Sequence, residues 1–457
     1  MSCKKAEFWL MLLISALLII FLAPSTLDLG EFVDGLTYAS ISLNMANGWG
    51  NFWHMHYTQT FGKLFFSQPP LDIWFGSLWF KTIGNILILE KIYSFVWFLL
   101  TIIALSFLWK HISGQICGFW LVLVLWVISP IVLRMASQNI LDVPLEFFTI
   151  LTVLFYLKAF ENKWYIVLSS ISFIAAFFTK GVAALFILLM FPLSLFLGKK
   201  FKQIIDLGLI FSAVILIISV FIYFNPDAKT FWTNYYHQQV LQSLKNVRVT
   251  NNRFSILFIY FEYTFYMWII IIGVLFTKLA DKQKLRYIFF FSLLSFIQAL
   301  QFIVSFKQRA FYILPSISFL ALASALGIYK KIDEKISVLT KNNWFKTLTT
   351  LAVLFAIYMS FSCFGKIYRD KKLVQDVLTL KHHFHDQIFC ASPKIKKDWD
   401  IYAYLYRYAK ISLNTSTHCT KNYYLTLKSE HLPQNYKCLY SLNILALYKK
   451  TKAPSVK

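Results

Sequence analysis

Charge is what this chain has least of: 14% of its 457 residues are Asp, Glu, Lys or Arg, against roughly 25% in soluble domains. That scarcity excludes an ordinary water-soluble globule. The six cysteines are scattered with no CxxC pair, which removes the signature of a metal ribbon or a dithiol redox centre. No repeat at solenoid spacing is visible, and nothing is low-complexity beyond the apolar runs.

What fills the space is hydrophobic: 58% of residues, 19% being aromatic. Apolar runs recur from residue 8 to residue 364. Crossing a ~30 Å hydrocarbon layer takes about 20 residues, and in lipid the backbone must satisfy its own polar groups, so the runs predict helices. The formal charge of +24 would suggest nucleic acid in a soluble protein. Here Lys4 and Lys5, Lys199, Lys200 and Lys202, and Lys278, Lys282, Lys284 and Arg286 flank apolar runs, so the charge reads as topology, with cytoplasmic ends positive. The first run, which ends near Pro24, reads as a retained helix, being longer than a signal-peptide core and lacking a clean small-x-small site.

With the Lys-rich connectors inside, residues 25–70, 137–142, 178–181, 225–253 and 305–309 and the tail from 366 face the opposite side. Parity then forbids "PPLDIWFGSLWFKTIGNILIL" (69–89) from being a simple span, and we read it as interfacial or re-entrant. The expectation is an all-α polytopic membrane protein with about 11–13 transmembrane helices. Residues 1–365 form the membrane domain. Residues 366–457 turn polar, with short alternating pieces such as "YYLTL", and predict a small extracytoplasmic α/β or α+β domain. Cys390, Cys419 and Cys438 fall in that tail, where an oxidising compartment allows one disulfide with one cysteine left over.

In "FVDGLTYASISLNMANGWGNFW" (32–53), Phe32, Leu36, Ala39, Leu43 and Ala46 recur at helical spacing. This predicts a short amphipathic helix lying on the membrane surface, stopped at Asn47-Gly48, with Asp34 in its first turn, where the helix dipole favours a carboxylate. As a residue type, Asp34 is equally an ordinary helix N-cap.

Polar residues gather in the outward connectors. The first loop holds Glu31, Asp34, His54, His56, Lys63 and Gln68, and the next holds Asn139 and Asp142. Later ones hold Lys180, then His237, Lys245, Arg248 and Arg253, and finally Lys307, Arg309 and Tyr312. Glu262, in "YFEYTFYMW", is a carboxylate inside a span, where such groups usually face a cavity or a partner; a hydrogen bond to a neighbouring Tyr is the simpler reading. "HHFHDQ" (382–387) lacks a companion cluster at ligand spacing and reads as a solvated segment.

"FVDGLTYASISLNMANG", "SQPPLDIWFG", "SQNILDVPLEFF", "FFTKG" and "SFKQRAFYILP" occur in the order of the landmarks of the dolichyl-phosphate-mannose protein mannosyltransferase and aminoarabinose transferase superfamily, which the chain resembles over residues 28–320. The resemblance implies a GT-C fold and inverting transfer of a sugar from a polyprenyl-phosphate donor to a lipid, glycan or protein acceptor. It places the active site on the periplasmic side of a bacterial inner membrane, among membrane lipids and without nucleic acid. Asp34 matches the general base, with Glu31 as rival. Asp142 matches a second acid that either orients the acceptor or holds a divalent cation with Asp34; the metal and any other cofactor stay unknown. Lys307, Arg309 and Tyr312 suit the donor phosphate, with Lys63, Lys180 and Arg253 as weaker candidates. Family members often carry a Lys or His before the Pro pair, where this chain has Gln68, so a phosphate or metal contact there is in doubt. Two other classes compete: a transporter or flippase for a lipid-linked sugar, and a membrane scaffold whose tail binds partners.

Overall fold

A computed structural model describes residues 2–242, 252–277, 279–305, 307–395, 398–416, 419–430 and 436–451. Lys245, Arg248 and Lys278, named above, lie outside the described residues. The helices are α1 (Ser2–Thr26), α2 (Val33–Ala46), α3 (Leu71–Ile83), α4 (Leu89–Ser113), α5 (Phe119–Val127), α6 (Pro130–Met135), α7 (Asp142–Ala159), α8 (Tyr165–Lys180), α9 (Met190–Leu193), α10 (Phe201–Tyr223), α11 (Pro226–Tyr235), α12 (Ser255–Thr277), α13 (Lys282–Leu300), α14 (Leu314–Leu339), α15 (Asn343–Cys363), α16 (Lys371–His383) and α17 (Trp399–Ala409). The strands are β1 (Ile388–Ala391), β2 (Ser412–Asn414), β3 (Tyr423–Leu427), β4 (Tyr436–Ser441) and β5 (Leu445–Lys450).

Two compact units divide the chain. The first contains Met1–Pro24, Phe66–Asp72 and Ser94–Ser362, and the second contains Ser25–Phe65, Ile73–Tyr93 and Cys363–Lys457.

The first unit is a helical bundle. Among the described residues, 8 helical segments are long and apolar enough to cross a membrane, and the protein is a polytopic membrane protein. The segment Ala310–Asp333 is the most enclosed of these, 94% buried, and it packs against α5, α7, α12 and α13. Its sequence explains why. Ser316, Ser318, Ala321, Ala323, Ser324 and Ala325 are small and buried, so neighbouring backbones approach closely and hydroxyls bridge them: Ser295 Oγ donates to Ser316 O at 2.7 Å and Ser324 Oγ to Met267 O at 3.2 Å. α10 and α15 are peripheral, with Leu209, Phe221, Leu351 and Phe361 exposed, as lipid-facing surfaces are.

One of the eight segments, Tyr165–Leu193, is interrupted at Gly181 (φ 61, ψ −130), where a Cβ would collide with the Tyr235 hydroxyl. The sequence count treats the runs on either side of this glycine separately. It also includes α5, only 9 residues long, and α7, which carries Asp142, Glu146 and Lys158. α3 has 13 residues, too few to span.

The second unit joins the first loop to the tail. Its sheet has the order β2-β1-β3-β5-β4, parallel between β1 and both β2 and β3 and antiparallel for β3-β5 and β4-β5. The buried positions Phe389, Leu413, Leu425 and Leu447 share one core with Leu373, Val377 and Leu380 of α16, Leu405 of α17 and Leu36 of α2. Asp376 of α16 is buried and accepts from the N–H groups of Asn443, Ile444 and Leu445 at 2.7–2.9 Å, which pins the β4-β5 turn. Cys390 and Cys419 form a disulfide, and Cys438 is exposed and free. Non-reducing peptide mapping should recover the 390–419 cross-link, and Cys419→Ser should lower the unit's stability by about 2–4 kcal/mol.

α2 corrects one expectation. Leu36, Ala39 and Leu43 are buried as the apolar spacing requires, but so are Tyr38, Ser40, Ser42 and Asn44. The helix is not an amphipathic cylinder with one wet face: α17 packs on it, while Phe80 of α3 meets Ala39 and Leu43. Ser42 Oγ donates to Ile73 O at 2.8 Å. Periodicity could not show this, because Ser and Asn count as polar even where a backbone carbonyl satisfies them.

Candidate functional site

Asp34 lies in the first turn of α2. The N-cap is Phe32, in extended conformation, so Asp34 is inside the helix rather than its cap. It is half-buried, beside Tyr57 and Asp400. Burial pushes the Tyr57 hydroxyl up to about 12, with the Asp34 charge adding to the effect, so this phenol stays protonated at neutral pH. Its oxygen lies 3.5 Å from Thr37 Oγ1. Partial burial holds the Asp400 carboxyl above the usual range, reinforced by Asp370, Asp398 and Asp34 and opposed by Arg369. Asp34 thus sits in an acidic environment, at the end of a helix whose amide dipoles favour its charge.

Glu31, the rival, is different. It is fully buried, and among the described residues neither carboxyl oxygen has a hydrogen-bond partner. Burial, then the neighbouring Glu90, raises its pKa far above the glutamate range. Burial disfavours the charged form that a general base requires. Around it lies a cluster that the sequence reading missed. Arg407, fully buried, grips Glu90 with two bonds, Nε to Oε1 at 2.9 Å and Nη2 to Oε2 at 2.6 Å. Its remaining donors reach Asn85 Oδ1 at 2.7 Å and Ile86 O at 2.9 Å. Lys91 pairs with Asp28 and donates to Ser25 O at 2.9 Å. Tyr404 fixes the Glu31 backbone, accepting from its N–H at 2.7 Å with its own hydroxyl 2.8 Å from Glu31 O. No local pattern announces an ion pair such as Arg407–Glu90, whose residues are more than 300 positions apart.

In the first unit, Asp142 and Lys180 form a buried ion pair. Asn139 in the left-handed region (φ 45) turns the chain into α7, putting Asp142 at its first position. Lys180, the last residue of α8, lies 4.4 Å from the centre of the Tyr312 ring. Gln298 Nε2 donates to Tyr312 O at 2.6 Å. Tyr312 therefore belongs with Asp142 and Lys180. One turn into α7, Glu146 accepts from Trp126 Nε1 at 2.9 Å.

Gln308 organises the next group. Its Oε1 accepts from Ser255 Oγ at 2.8 Å and Ile256 N–H at 3.0 Å. Its Nε2 lies 2.7 Å from Arg253 O and 2.9 Å from Phe302 O. One buried amide thereby ties the Arg253 backbone to the segment that carries Lys307, half-buried, and Arg309, exposed. The structure brings these three predicted cations to one part of the bundle.

The remaining candidates are scattered. Lys63 is exposed in the first loop, where its carbonyl lies 2.5 Å from His56 Nδ1. Gln68 is buried in the first unit. Glu262 is exposed on α12, in line with Phe258, Phe261 and Phe265, and among the described residues no tyrosine hydroxyl bonds to it. Among the described residues no group of three or more His, Cys, Asp or Glu is arranged to hold a metal ion.

No protein-family model matches the chain, and no curated protein matches it in sequence. Solved structures do. ArnT from Cupriavidus metallidurans in the apo state aligns with a TM-score of 0.65 at 14% identity, covering 97% of this chain and 98% of that one. The same protein bound to undecaprenyl phosphate gives 0.64 and 14%, covering 96% and 97%. The archaeal oligosaccharyltransferase AglB from Archaeoglobus fulgidus, in complex with an inhibitory peptide and a dolichol-phosphate, gives 0.57 and 11%, covering 92% of this chain and 69% of that one. The chain shares the fold of these structures.

Proposed function

We propose that this protein is an inverting glycosyltransferase that moves a sugar from a polyprenyl-phosphate carrier to a hydroxyl of a lipid, glycan or protein on the non-cytoplasmic face of a bacterial inner membrane. The observation that carries the reading is the likeness, over nearly the whole of both chains, to a structure holding undecaprenyl phosphate. In the proposed reaction the acceptor oxygen attacks the anomeric carbon, the bond from that carbon to the phosphate oxygen breaks, and the phosphate leaves on its carrier. The acceptor proton goes to Asp34. One displacement inverts the anomeric centre and needs no second nucleophile.

Roles follow from residue chemistry. Arg253, Lys307 and Arg309 are assigned to the departing phosphate, which a forked guanidinium grips bidentately. Lys180, neutralised by Asp142, is held for orientation rather than offered as a free cation. The Cys390–Cys419 disulfide supports placing the second unit in an oxidising compartment. Titrating a polyprenyl-phosphate-linked sugar against the purified Lys307→Ala/Arg309→Ala variant tests the phosphate role. The donor KM should rise at least about tenfold, as loss of charge-assisted bonds costs. An unchanged KM removes these residues from the donor site.

A further inference from the structure

At the C-terminal end of α2, within the second unit, lies a half-open cavity of about 420 Å³ lined by Asn44, Asn47, Trp49, Gln59, Asp386, Tyr406 and Lys410. Its size falls in the range of about 300–1,000 Å³ typical of small-molecule sites. Asn44 is ten residues from Asp34 along the same helix, roughly 15 Å at 1.5 Å per residue, so the cavity is separate from the proposed base.

The cavity is framed by groups fixed in place. Asn44 Nδ2 donates to His56 O at 3.0 Å and Tyr57 O at 2.7 Å, and its Oδ1 accepts from the Tyr406 hydroxyl at 3.2 Å. The Trp49 indole is held flat against the His56 ring, centroids 5.1 Å apart and planes 14° from parallel. Gln59 Nε2 donates to Asp386 Oδ1 at 3.0 Å. Asp386 and Lys410 both adopt φ 52, a left-handed conformation that favours glycine, and Asp386 N–H donates to Ala409 O at 3.2 Å. Two strained residues converging on one cavity are the kind of outlier from which function is sought.

The lining selects its ligand class. It carries one cation and one anion, which gives a phosphate no net attraction. It has no aliphatic side chain for a lipid tail. It offers a braced indole, carboxamides, a carboxylate and an ammonium, which suit the apolar face and the vicinal hydroxyls of a sugar ring. We infer that this cavity is a non-catalytic binding site for a pyranose of a glycan. The inference stands on the cavity and holds independently of the transfer reading.

The test is saturation-transfer NMR on the full chain in nanodiscs, with methyl glucopyranoside, methyl galactopyranoside and N-acetylglucosamine as probes. At least one should bind at about millimolar strength, and Trp49→Ala and Asn47→Ala should each weaken it at least about tenfold. Lys410→Gly separates folding from binding. Lys410 occupies the C-cap of α17, where glycine is the favoured residue in this conformation, so the variant should unfold no earlier than the parent while binding the sugar at least about tenfold more weakly. Absence of binding by every probe overturns the inference, as does binding that all three variants leave unchanged, or inorganic phosphate displacing the sugar. None of these readouts requires turnover, so failure of the transferase reading leaves the result standing.

Discussion

Asp34→Asn should lower transfer by about 100- to 10,000-fold, the range for losing a general base, while donor affinity changes little. Asn keeps the size and hydrogen-bonding ability of the side chain but cannot take a proton, so the effect belongs in kcat. The half-buried position in the first turn of α2, rather than at the cap, means that the substitution costs the helix little, and thermal unfolding should be close to the parent's. Glu31→Gln is the internal control. Glu31 is fully buried, and that burial disfavours its charged form, so exchanging it for a neutral amide should leave transfer near the parent level. Steady-state kinetics with a polyprenyl-phosphate-linked donor read both variants, and an Asp34→Asn protein with normal kcat would dismiss this carboxylate as the base.

Arg407→Met should destabilise the second unit by about 3–5 kcal/mol, the cost of stranding a buried partner charge. The guanidinium uses four bonds, two to Glu90 and one each to Asn85 and Ile86, and it stacks 5.0 Å from the centre of the Phe80 ring. Removing it leaves Glu90, itself fully buried, beside Glu31 with Lys91 already engaged by Asp28. The double variant Arg407→Met/Glu90→Met should recover most of the loss, because no charge is then left unpaired. Thermal unfolding of the three proteins measures this. A single variant as stable as the parent would show that the pair is dispensable.

The parts of the fold that were legible in the sequence are those set by lipid. Apolar runs of membrane length have one solution, so the bundle, the short α3 and the change of texture near residue 366 could all be read. Asp34 and Asp142 stood out through the motifs that resemble the family's acidic landmarks, and each lies in the first turn of a helix. Lys180, ranked among the weaker cations, is the partner of Asp142, and its pairing with a residue on another helix was beyond any local pattern. The union of residues 25–65 and 73–93 with 363–457 was equally hidden. It rests on Leu36 entering the tail's core, on Tyr406 reaching Asn44 and on Arg407 reaching Glu90, contacts whose partners are more than 300 residues apart. The same distance explains why α2 reads as amphipathic: the helix that buries its polar face, α17, comes at the far end of the chain.

The most direct measurement is a reconstitution: purified protein, a polyprenyl-phosphate-linked sugar labelled at the anomeric carbon, and an extract of envelope acceptors, with the product and the released carrier followed by NMR. The account predicts one polyprenyl phosphate liberated per sugar transferred and a product of opposite anomeric configuration to the donor. Retention of configuration, or sugar crossing the bilayer still attached to its carrier, would contradict it.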